Sequence, residues 1–219
     1  MRYIWIILAI WFATAAQAGP WQRPVSTGFM SSSSTFTVSN HDLSLTYYSG
    51  LYVEYGLSKT TTLGFSGGLN EINKINGHAF LRRPIKTWES GWLFAYEIGL
   101  GGTYHLGAST PEVRLGLTLG RGITIRQRKG WFTFDTSLTK SRDDWNLTSE
   151  TTLGVTARNK WKWIAQVTAE KSRYQPAHIS VSPSVAFPLG KRAHLQVGLI
   201  GGSRGGGRVG IKTSIWREF

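Results

Sequence analysis

From about residue 43 onwards the chain alternates apolar and polar side chains in segment after segment, and it stops on an aromatic residue, Phe219. Successive side chains of a strand point to opposite faces, so this pattern makes every segment two-faced. The last segment is the plainest: Val209, Ile211, Thr213 and Ile215 share one face, and Arg208, Gly210, Lys212, Ser214 and Glu218 the other. One face suits hydrocarbon and the other water, which is the requirement of a sheet closed on itself in a membrane.

The first eighteen residues read as a processing signal. Arg2 is the basic start, Ile4 to Phe12 the apolar stretch, and Ala16-Gln17-Ala18 a small-x-small cleavage site before Gly19. The apolar stretch is too short for a helical span, which needs about 20 residues. Residues 19 to 219 are then expected to form one exported domain. With Arg2 removed the formal charge is about +12, against +13 for the whole chain. In an exported protein that excess points to lipid phosphates and lipopolysaccharide rather than to nucleic acid. The absence of cysteine excludes disulfides and thiolate metal sites, and no cofactor is expected.

Strand by strand, the alternation gives an outward and an inward set. Over residues 43–57, Leu43, Leu45, Tyr47, Leu51, Val53, Tyr55 and Leu57 oppose Ser44, Thr46, Gly50, Tyr52 and Glu54, and Thr61, Leu63, Phe65 and Leu69 continue the apolar face after a turn at Ser58 and Lys59. Further segments follow over residues 92–105, 112–124, 131–141, 147–158, 161–172, 178–188, 193–203 and 208–219. Two are weaker, the Ser/Thr-rich 27–39 and 77–88, where Arg82-Arg83-Pro84 interrupts the pattern and proline lacks a ladder donor. Counting both gives twelve strands, with ten as the alternative. The fold class expected is all-β, a closed antiparallel up-and-down transmembrane barrel. Its short turns would lie near Ser58, Ser90, Asn159 and Leu189-Gly190-Lys191, and Trp88, Trp92, Trp131, Trp161, Phe187 and Phe219 would form an aromatic band at that end. The competing reading is a soluble periplasmic barrel that binds a lipid.

These residues resemble bacterial outer-membrane β-barrel proteins as a class, through the signal, the run Leu51-Tyr52-Val53-Glu54-Tyr55-Gly56-Leu57-Ser58-Lys59 and the aromatic end. More narrowly, the chain is similar to small outer-membrane barrels that open on a Gly-Pro-Trp type segment, a resemblance that brings no activity with it. Ile211, Ile215 and Phe219 match the terminal-strand signal that the barrel assembly machinery reads, which implies that machinery as a partner and the outer membrane of a Gram-negative bacterium as the location. Arg217 stands where that signal carries an apolar or aromatic residue, and Trp216 is out of phase with it.

The charges left for the inside are Glu54, Glu97, Asp135, Glu150 and Glu170 against Arg114, Arg158, Lys162, Arg208 and Lys212. A cation facing lipid at mid-depth costs about 2–4 kcal/mol, which drives these side chains to the lumen. They could form an internal salt-bridge network, or a narrow conduit with a basic excess. A small passive pore or structural barrel is the function expected. The rival is a lipid-modifying enzyme, because His178 and Ser180 have the i, i+2 spacing that puts a base and a nucleophile on one face of a strand. His41, His78, His105, His178 and His194 show no metal-ligand spacing, and Gly201 to Gly207 lacks the Lys and the helix of a phosphate loop. Lys140, Arg142, Lys171, Arg173 and Arg204 would make a modest anion-contact set at the outer rim.

Overall fold

A computed structural model describes residues 20–219; the expected signal segment lies outside the described residues. Twelve strands follow one another: β1 (Gly28–Ser39), β2 (Leu45–Ser58), β3 (Thr61–Asn70), β4 (Ile75–Thr87), β5 (Trp92–His105), β6 (Ala108–Ile125), β7 (Arg128–Lys140), β8 (Trp145–Thr156), β9 (Lys162–Ser172), β10 (His178–Pro188), β11 (Ala193–Gly202) and β12 (Arg208–Glu218). Each pairs antiparallel with its neighbours in sequence, and β1 pairs with β12, so the sheet has no edge. The seam runs from Ser39↔Arg208 to Phe29↔Glu218, and reciprocal bonds between Gly28 and Phe219 carry it to the last residue, at 2.7 and 3.0 Å. Twelve is even, so both chain ends lie at one end of the barrel, here termed proximal; the other is distal.

Both weak segments are strands. β1 pairs in register along almost its whole length with β2 and β12 despite its serines. In β4 the register shifts directly after Pro84: Pro84 stands opposite Ala95 and Lys86 opposite Phe94, which leaves Ile85 as the extra residue of a bulge. Two connections are tighter than the sequence pattern suggests. Leu106-Gly107 and Arg126-Gln127 each turn the chain in two residues, all four with positive φ, so β6 runs to 18 residues and exceeds the 9–11 needed to cross a bilayer.

Exposure separates the two faces. Leu100 (67%), Val209 (56%), Ile179 (55%) and Trp163 (55%) lie bare on the outside, while Glu54 and Thr62 on the inside are fully buried. A soluble barrel that held a lipid would have the opposite arrangement, with apolar side chains within and charges without. The outward band is therefore a membrane surface. Aromatic pairs mark its proximal border, with Trp161 and Phe187 4.6 Å apart edge to face and Trp92 and Phe132 5.8 Å apart. Trp131 departs from the expected band. Phe132 takes the outward place on β7, so its neighbour Trp131 must point inward, where it is 4% exposed and packs with Ile164 and Ala186. Trp216 is turned inward by the same logic and packs against that cluster.

Substitution of Leu117, at mid-length on the outward face of β6, by Arg is expected to destabilise the barrel in lipid by about 2–4 kcal/mol. The same change at Leu106, 89% exposed in the distal turn, is expected to be near neutral. Urea unfolding in vesicles, followed by tryptophan fluorescence, measures both.

Candidate functional site

The inner wall divides the lumen into three levels, a distal vestibule, a layer of paired charges and a proximal stopper. The charge layer depends on register. Arg82 on β4 stands directly opposite Glu97 on β5, and Glu54 on β2 lies across Gly64 of β3, which has no side chain to obstruct the gap. The Arg82 guanidinium bridges both carboxylates, with Nε donating to Glu97 Oε2 at 2.9 Å and an Nη to the Tyr52 hydroxyl at 2.8 Å. Tyr52 in turn donates to Glu54 at 2.5 Å. Arg114 completes the layer on the vestibule side, 3.8 Å from Glu97. A buried cation between two carboxylates, each also hydrogen-bonded, is the arrangement that compensates for desolvation.

The stopper is the segment preceding β1. Arg23 Nε donates to Glu54 at 2.5 Å, its backbone N–H donates to Thr62 Oγ1 at 3.2 Å, and the Thr62 hydroxyl donates to Gln22. The Arg23 guanidinium also lies 4.7 Å from the Phe29 ring centre. Those partners belong to β1, β2 and β3. Across the lumen, Pro20 is buried against Gly120 of β6, where a Cβ would stand 2.6 Å from its ring, and Trp21 packs on the cluster of Trp131, Ile164 and Ala186 from β7, β9 and β10. Four residues thus touch opposite walls and span the bore.

Beyond the charge layer opens the vestibule, about 920 Å³, lined by hydroxyls, amides and charges. Its ionic groups are balanced, with Lys74, Arg114, Arg204 and Arg208 against Glu71, Glu112, Asp144 and Glu170. Arg204 pairs with Glu170 at 2.8 Å, and His78 with Glu112 at 2.8 Å. Arg208 donates to Thr46 and Ser44, while its Nε and that of Arg114 are buried without a hydrogen-bond partner. At the rim, hydrogen bonds from Ser39 and Ser44 hold the Asp42 carboxyl down at about 2, so this loop charge persists in acid.

Of the other residues expected inside, Lys212 reaches Gln166 at 2.8 Å, Glu150 accepts from Thr168 at 3.4 Å, Asp135 lies opposite Glu150, and Lys162 sits 5.7 Å from the Trp131 ring centre. Arg158 is placed differently. β8 ends at Thr156, so Arg158 falls in the turn and lines a groove on the proximal rim with Arg126 and Arg128. His178 contacts Ser203 at 3.2 Å, and Ser180 lines the vestibule wall beside it. Ile211 and Ile215 lie outward, 51% exposed each, and Phe219 is 50% exposed with its ring over Gly28. Among the described residues no cluster of His, Asp and Glu is arranged to hold a metal ion.

Two parts of the site escape a reading by composition and pattern. Arg82 falls in the stretch where the alternation fails, yet it is in phase with His78 and Phe80, both inward. The role of Pro20 to Arg23 has no periodic signal, since the segment is not a strand.

No protein family matches the chain by sequence, and no curated protein does. Solved structures do match by fold. The KdgM porin is 12% identical with a TM-score of 0.60 over 86% of this chain and 99% of its own. The NanC porin is 8% identical, also at 0.60, over 85% and 98%. An outer-membrane channel from Pseudomonas putida F1 is 10% identical at 0.61, over 94% and 100%. The chain has the fold of outer-membrane channel barrels. At such identities the likeness lies in the wall and not in the residues that line it.

Replacing Arg82 by Met is expected to cost about 3–5 kcal/mol, because Glu97 and Glu54 then lose their shared buried partner. Adding Glu54→Gln and Glu97→Gln should recover most of it. The heat-modifiable gel mobility of the three forms, titrated with urea, reads the difference.

Proposed function

We propose that this chain is an outer-membrane channel for small polar solutes, with the distal end facing outward and the proximal end in the periplasm. The observation that carries the reading is the distal vestibule, a polar space of about 920 Å³ inside a wall whose outer surface is apolar. A wall that only served structure could be filled with side chains, as in narrower barrels. Here the filled part is the charge layer and the proximal bore, where Pro20 through Arg23 pack with the inward Trp131, Ile164, Ala186 and Trp216. At rest the channel is stoppered, and its conducting form is the one in which the segment has left the bore.

The outer connections are short, which suits entry of small molecules better than capture of large ones. One of the similar solved structures is the KdgM porin with disordered oligogalacturonate. In this chain the guanidinium groups of Arg114 and Arg208 line the vestibule and offer donors to solutes that carry oxygen acceptors, with Tyr48 and Tyr52 as adjacent flat surfaces. The balanced ionic lining supports only weak charge selectivity. No catalytic role is assigned to His178, whose contact is with Ser203. Contact with lipopolysaccharide at the outer rim and insertion by the barrel assembly machinery, through Ile211, Ile215 and Phe219, belong to the same proposal. At that rim Arg204 already pairs with Glu170, and Lys171 and Arg173 hold loop carbonyls.

Planar-bilayer recording tests the reading. Wild-type protein is expected to give small, infrequent current steps, and a Trp21→Ala, Arg23→Ala double variant several-fold larger or longer ones. Background current from both folded proteins would overturn the channel; equal currents from both would overturn the stopper.

A further inference from the structure

The proximal rim carries a groove that the lumen does not use. Arg126 and Gln127 form the turn between β6 and β7, Arg128 begins β7, and Arg158 comes from the turn after β8; with Ile125 and Val155 they enclose about 400 Å³. None of the residues lining it is acidic.

Three features set this groove apart from a scattering of surface cations. Its apolar members, Ile125 and Val155, lie on the lipid-facing side of the wall, in phase with Leu119 and Leu153, so the groove opens on hydrocarbon and not on the bore. Its cations come from two separate connections, Arg126 and Arg128 at the β6–β7 hairpin and Arg158 after β8. Third, the turn keeps Arg126 and Gln127 at φ 47° and 63°. A two-residue hairpin of this kind favours Asn and Gly at those places, and an arginine held there spends local stability.

We propose that this groove binds the phosphate of an anionic phospholipid in the periplasmic leaflet, with one acyl chain lying along Ile125, Val155 and Leu153. Guanidinium groups bind phosphate oxygens in pairs and are less strongly hydrated than ammonium groups, which suits a site at the border of hydrocarbon. The three arginines come from two separate turns and converge on one depression, as a compact diester requires. The band of Trp92 with Arg121, 5.8 Å apart, and of Trp161 with Phe187 puts this rim at headgroup depth. The site does not depend on whether the lumen conducts.

Native mass spectrometry on protein exchanged into mixed phosphatidylglycerol and phosphatidylcholine tests it. The wild type should retain phosphatidylglycerol several-fold over phosphatidylcholine, and the R126Q, R128Q, R158Q variant should lose that preference. A distal-rim variant, K140Q, K171Q, R173Q, should keep it. Equal retention by wild type and the proximal variant, or no preference between the two lipids in the wild type, would overturn the proposal. So would displacement of the lipid by millimolar inorganic phosphate, which would make the groove a site for free anions. If the triple variant does not reach the heat-modifiable folded form, R158Q alone, in an exposed turn, gives the same readout at smaller amplitude.

Discussion

Every peptide group of a strand in hydrocarbon must find its partner in the protein, because an unpaired one costs several kcal/mol and no water is there to take its place. The pairing of β1 with β12 is where this chain meets that demand. Once the ring is closed, the alternation of side chains becomes a sorting device: Leu100 and Val209 meet lipid because Gly99, Gly101 and Arg208 meet the lumen. The polar interior follows from the wall, and the function proposed follows from the interior.

Inside the wall, order depends on one cation. Arg82 ties β4 to β5 by a directly opposed pair and to β2 across a glycine, and the same Glu54 it holds also receives Arg23. The charge layer and the stopper thus share a carboxylate. The balance of the vestibule has a matching explanation. Much of the positive charge of the chain lies at the proximal rim, on Lys59, Arg126, Arg128, Lys129, Arg158, Lys160, Lys191 and Arg192, while in the bore Arg82 is held by carboxylates, Arg208 by hydroxyls and Lys212 by the Gln166 amide.

How much of this was legible beforehand depends on whether a feature is periodic. The strands, their number and their faces could be read from the alternation, and Glu54, Glu97 and Arg114 could be set inside by parity alone. Even the weak segments were recoverable from the need of their neighbours for partners. Residue type places Trp131 in the outward band at the rim, against the parity that Phe132 sets. The parity that places Arg158 inward does not reach it, because β8 ends two residues earlier, at Thr156. Arg82 was hidden by its neighbours Arg83 and Pro84, and the stopper because contacts between a non-repeating segment and several distant strands leave no mark in the spacing of residues.

Among the described residues the stopper's backbone-to-backbone bonds to the wall lie at its base, where Val25 bridges to Gly56 and Ser26 and Thr27 bond the same strand. Since Pro20 to Arg23 take no part in the ladder, the opening proposed for the channel leaves all twelve strand pairings intact. The barrel therefore resembles a pipe with a hinged flap fixed beside its rim. In the proposed opening the contacts that break are those of the flap, and the pipe keeps its own.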